Sequence, residues 1–95
     1  MLNIFFKMET VIIKIMNDCY LPKWNKWILV SLVCYSKSFE DENKQFVLNE
    51  TLFRHTYNIR PQVFINGIKE LKRKNLIKYD YQTSTIYLKF LEQYN

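Results

Sequence analysis

The chain has 95 residues, enough for one domain with a single buried core and no need of staples. Hydrophobic residues make up 48% and aromatics 17%, which excludes a chain disordered by composition. One glycine and two prolines predict regular elements joined by short connections. The net charge of +5 is unevenly placed: from Arg54 to Lys78 there are seven Lys and Arg against a single Glu, so that segment carries +6 and the remainder −1. A basic patch confined to one segment is expected of a surface that meets phosphates, with a merely solvated helix face as the plain alternative.

Other function classes find little support. Cys19 and Cys34 have no metal-ligand spacing around them and, without a secretory signature, predict inert thiols in a reducing, cytosolic (cytoplasmic) setting. Lys7, Glu9 and Lys14 interrupt the apolar N-terminus before a signal-peptide core can form, and no run reaches the roughly 18 residues needed to span a bilayer. His55 is the only histidine. There is no nucleophile–base pairing, glycine-rich phosphate loop or metal cluster, so no catalytic residue, metal, cofactor or small-molecule substrate is expected.

In chain order, residues 3–7 form a short β-prone run that suits an edge strand or an arm. Residues 9–16 suit a short helix, although their β-branched residues also suit a strand. Pro22 is placed for the first turn of a helix over 22–38. Its Trp24, Trp27, Ile28, Val30, Leu32, Val33 and Tyr35 are apolar all round, which predicts a central helix packed on more than one side with the tryptophans as core anchors. Residues 40–43, Glu-Asp-Glu-Asn, mark a loop. Phe46, Val47 and Leu48 read as a brief strand.

Asn49 fits an N-cap, with Glu50 in the first turn of a helix over 50–56 that buries Leu52 and Phe53 and shows Arg54 and His55. Tyr57 and Asn58 make a turn, and Ile59 returns to the core. The next helix, 61–75, places Phe64, Ile68 and Leu71 at i, i+4, i+7 as a buried stripe. Gly67 beside that stripe would let another helix approach closely, and Asn75 suits a left-handed C-terminal cap. Residues 77–81 and 85–90 alternate with period two around a turn at 82–84, a hairpin with Ile77, Tyr79, Tyr81, Ile86, Leu88 and Phe90 on one face. The tail from 91 to 95 is expected to be loosely held.

Residues 46–90 resemble the winged helix-turn-helix family, in which strand, helix, turn, second helix and hairpin follow in this order. The family's second helix reads like Val-Ser-(x)2-Thr-Val-x-x-(Ala/Gly)-Ile-x-x-Leu, then Gly-Leu-Ile. Here the matching residues are Ile59-Arg60-Pro61-Gln62-Val63-Phe64-Ile65-Asn66-Gly67-Ile68-Lys69-Glu70-Leu71, then Asn75-Leu76-Ile77. Arg60 stands where Ser or Thr usually caps, Phe64 and Ile65 are bulkier than usual, and the turn of the wing lacks glycine. The layout before residue 46 is similar to the winged-helix domains of plasmid and phage replication initiators. The resemblance implies an α+β, mostly helical domain over 1–95, with residues 1–20 as an N-terminal extension and the hairpin as the wing.

It also implies double-stranded DNA as partner, read in the major groove by helix 61–75, in a small transcriptional regulator or replication-initiator-like factor. Gln62 and Asn66 carry the donor–acceptor pair that matches adenine, and Arg60 suits guanine or a phosphate. Lys69, Lys72, Arg73 and Lys74 suit phosphates, with Arg54 touching the flanking backbone. The alternative from another class is a protein–protein module that docks through Ile4, Phe5, Phe6 and Trp24. The N-terminal segment is also the expected interface of a homodimer.

Overall fold

Among the described residues, four helices and a small three-stranded antiparallel sheet form an α+β, mostly helical fold. The computed structural model describes residues 2–18, 20–37 and 45–93. In order these are α1 (Leu2–Met16), α2 (Lys23–Lys37), β1 (Gln45–Val47), α3 (Glu50–Thr56), α4 (Pro61–Arg73), β2 (Lys78–Asp80) and β3 (Thr85–Tyr87), ending in a 3₁₀ turn over Lys89–Gln93. The acidic segment 40–43, Cys19 and residues 94–95 lie outside the described residues. Among those described, no helix is long and apolar enough to cross a membrane.

The first correction is at the N-terminus. Residues 3–7, expected as a strand or arm, are continuous with residues 9–16 in one 15-residue helix. Among its described side chains Val11 and Ile15, one turn apart, are buried, so a helical stripe prevails over local β-branched preference.

α2 is the central element, packed on α1 and on α4. Ile28, Leu29, Leu32, Val33 and Tyr35 are buried, more than one stripe of a helix allows, as its all-round apolar sequence predicts. The two tryptophans are not core anchors: Trp24 is 60% and Trp27 45% exposed. The interior positions of the first turns are taken instead by Asn25, Ile28 and Leu29. Tyr35 closes the far end, its ring 5.6 Å from Phe46 and 5.5 Å from Phe53, while its hydroxyl accepts the Asn49 N–H at 3.2 Å.

α3 starts where the N-cap signal places it. The Asn49 side chain accepts the Leu52 N–H at 3.1 Å, satisfying a first-turn donor worth about 1 kcal/mol. Phe53 is fully buried, but Leu52 is 53% exposed, contrary to expectation, because a seven-residue helix turns only one narrow stripe inward. Both α3 and α4 end in the same way. Asn58 (φ 54°) and Asn75 (φ 61°) adopt the left-handed conformation just past each helix. The next N–H returns to the helix, Ile59 to the Arg54 carbonyl at 2.8 Å and Leu76 to the Leu71 carbonyl at 3.0 Å. Each is a Schellman closure that sends an apolar residue, Ile59 or the Leu76–Ile77 pair, back toward the core.

Gly67 sets the α2–α4 distance: a Cβ built there would lie 2.0 Å from the Ile28 Cδ1. β3 is the middle strand, pairing with β1 through Phe46↔Ile86 and with β2 through Tyr79↔Ile86. The turn between β2 and β3 manages without glycine. Ser84 takes the positive φ of 56°, and the Asp80 carboxylate accepts the Gln82 N–H at 2.9 Å. The strands are shorter than the alternation predicts, so Tyr81 falls in the turn and is 61% exposed instead of joining the buried face. Phe90, expected in the strand, lies in the 3₁₀ turn, where its N–H donates to the Leu76 carbonyl at 2.8 Å. Leu91 is half-buried against the core, and the tail expected to be loosely held continues in the 3₁₀ turn to Gln93, with residues 94–95 outside the described residues.

Candidate nucleic-acid interface

α4 carries the densest set of candidate side chains, and its burial shows which of them share a face. Phe64, Gly67, Ile68 and Leu71 are buried. On the opposite side, Gln62, Asn66, Lys69 and Arg73 are exposed and recur at i, i+4, i+7, i+11, one stripe along the helix. Ile65 flanks it, 41% exposed. The helix begins at Pro61, with Arg60 at the cap position making no side-chain cap bond, consistent with the absence of a Ser or Thr there.

The stripe is organised internally. The Gln62 Nε2 donates to the Asn66 Oδ1 at 3.0 Å, so the two amides form a unit that presents the Gln62 carbonyl oxygen and the Asn66 amino group to a base edge. Further along, the Arg73 guanidinium is bonded to Glu70, its Nε donating to Oε2 at 3.1 Å with a second contact from Nη2 to Oε1. The Lys74 amine stands 3.8 Å from the same carboxylate. The Arg73 hydrogen bond, helped by the Arg73 and Lys74 charges and opposed by desolvation, holds the Glu70 carboxyl below the usual glutamate range, while the same bond pushes Arg73 up. Arg73 and Lys74 are therefore partly neutralised within the helix, which the count of cations alone does not reveal.

The remaining cations are distributed around this stripe. The Lys72 amine sits 4.7 Å from the Tyr81 ring centroid. Tyr81 in turn stacks on Tyr79 with centroids 4.6 Å apart, which ties the end of α4 to the β2–β3 turn. Burial, reinforced by the Glu50 charge, raises the Tyr79 phenol above its ordinary value, so it stays neutral. Lys78 lies on β2 with its amine 5.8 Å from the Tyr87 ring centroid. Arg54 on α3 is half-buried, and its Nε has no acceptor among the described residues. Arg60 is exposed at the opposite end of α4, where it lines a cleft with Trp24, Asn58 and Val63.

The structure thus brings Gln62, Asn66, Lys69 and Arg73 together, turns Lys72 toward the hairpin, and separates Arg54 and Arg60 from that stripe. Half-buried Tyr79 and exposed Tyr81 stand beside the stripe without having been expected there, because a strand was expected to bury both. Trp24, expected in a protein-docking face, lies away from the stripe in the cleft beside Arg60. No family model, curated protein or solved structure matches this chain.

Proposed function

We propose that the chain is a winged helix-turn-helix DNA-binding protein, a small transcriptional regulator or a replication-initiator-like factor, that lays α4 in the major groove of double-stranded DNA. The observation that carries this reading is the single exposed stripe on α4, with the bonded amides of Gln62 and Asn66 in its N-terminal half and Lys69 and Arg73 beyond them. A helix docked in the major groove meets base edges with its N-terminal half, where the amides stand. Cations further along set register on the phosphates. The helix–turn–helix spacing of α3 and α4 and the following hairpin, whose Tyr81 carries Lys72, support the same reading. The chain binds and does not catalyse.

A salt titration with short duplexes tests it. Two to four phosphate contacts predict a log–log slope of about −2 to −4. Binding that is insensitive to salt, or absent at low ionic strength, refutes it. The second reading, a protein–protein module, is favoured by Ile13, Met16 and Tyr20, which are 58%, 55% and 88% exposed around the α1–α2 turn. The expected docking residues Ile4, Phe5 and Phe6 belong to the same helix, but their side chains lie outside the described residues. A homodimer through α1 is proposed on the same ground, and a monomeric mass by light scattering overturns it.

A further inference from the structure

We propose that the cleft between the first turn of α2 and the start of α4 binds an unpaired nucleobase of a nucleic acid. The cleft has a volume of about 380 Å³ and is lined by Trp24, Asn58, Arg60 and Val63. That volume is at the small end of the roughly 300–1,000 Å³ of small-molecule sites, room for one flat ring system and not for a duplex.

Each lining residue supplies a different part of nucleotide recognition. Trp24 is 60% exposed, unusual for a residue type that is highly buried on average, and it offers an indole face. Asn25, Ile28 and Leu29 take the inward positions of the same helix, which leaves Trp24 on the side that lines the cleft. Aromatic side chains bind bases irrespective of sequence because every base has a π-face. Arg60, exposed at the α4 cap position, supplies a cation for the phosphate that accompanies the base. The Asn58 amide, held at the rim by its left-handed backbone, offers a donor and an acceptor to a base edge. Val63, half-buried, is the apolar wall. Among the described residues no carboxylate lines the cleft, so nothing there repels a phosphate.

The site adjoins the N-terminal end of α4 and rests on the duplex-binding reading only for its placement beside a duplex. A nucleic acid with a single-stranded segment next to a duplex would occupy both surfaces.

The test compares a blunt duplex, the same duplex with a four-nucleotide thymidine overhang, and the thymidine oligonucleotide alone, by anisotropy and tryptophan emission. The overhang should tighten binding roughly tenfold, the magnitude of one stacked base, and should quench tryptophan emission. Trp24→Ala should abolish the gain and the quenching while leaving blunt-duplex affinity unchanged. Trp24→Phe should retain most of the gain, and Trp27→Ala should retain both effects. If the blunt duplex fails to bind but the oligonucleotide quenches Trp24, the duplex reading falls and the cleft stands. An overhang that adds nothing, or a gain that survives Trp24→Ala, overturns the proposal. So does Trp24 emission that changes with protein concentration alone, which would assign this face to a second copy of the chain. Circular dichroism of each variant confirms that the comparison is made on folded protein.

Discussion

Replacing Gly67 by alanine sets two known effects against each other. In an exposed helix the change would stabilise by about 1 kcal/mol, the propensity difference between the two residues. Here the added methyl would fall 2.0 Å from the Ile28 Cδ1, and Ile28 is fully buried, so its terminal methyl must rotate against core neighbours to make room. Overpacking of this kind costs about 1–3 kcal/mol, which exceeds the propensity gain. The expected net loss is about 1 kcal/mol, read as a fall of roughly 4–8 °C in Tm for a domain of this size or as a lower urea midpoint at constant slope. Ile28→Val provides the control, because it deletes Cδ1 and leaves Cγ1 at an ordinary 3.5 Å from the new methyl. Alone it should cost about 0.5–1.5 kcal/mol. In its background Gly67→Ala should become stabilising, giving a coupling of about 2 kcal/mol in a double-mutant cycle. Stabilisation of the unmodified protein by Gly67→Ala, with strict additivity in the cycle, would refute the close α2–α4 approach.

Two further variants test the cap and the charge arrangement of α4. Asn75 occupies a left-handed conformation at φ 61°, so Asn75→Gly should stabilise by about 0.5 kcal/mol and Asn75→Val should destabilise by 1 kcal/mol or more in chemical denaturation. Glu70→Gln should release Arg73 and Lys74 for phosphates, tightening duplex binding and steepening its salt slope by about one unit; an unchanged slope would show that neither cation reaches DNA. The same release should follow from acid. Because the Glu70 pKa is depressed in the folded protein, its helix-stabilising contribution is present above the ordinary glutamate range and disappears as pH falls through the lowered value. A titration of helix content in Glu70→Gln should lack that transition.

The elements legible in the sequence were those whose signals are local and agree with one another. Asn49 before an apolar pair, Pro61 at the first position of α4, and the 64–68–71 stripe all report geometry that a few neighbouring residues determine. Gly67 was legible for a similar reason, since a lone glycine on a buried stripe points to close contact. What escaped was decided by distant partners. Residues 3–7 look like a strand in isolation and become helical only as part of a longer α1 that packs on α2. Trp24 and Trp27 have the composition of core residues, yet Asn25, Ile28 and Leu29 take the inward positions. In the candidate site, the i, i+4, i+7, i+11 placement of Gln62, Asn66, Lys69 and Arg73 follows from helical periodicity. The Glu70 pairing, the Lys72–Tyr81 contact and the cleft beside Arg60 depend on rotamers and on elements far apart in the chain.

The most direct test of DNA reading by α4 is to select a preferred duplex from a random pool and measure its affinity beside a scrambled duplex, at several salt concentrations. Gln62→Ala and Asn66→Ala should each lose about 1–3 kcal/mol on the preferred duplex and almost nothing on the scrambled one, because base contacts carry sequence preference. Lys69→Ala should weaken both duplexes alike and reduce the salt slope by about one unit. Equal weakening of both duplexes by the amide variants, or a pool that yields no preferred sequence, would contradict the account.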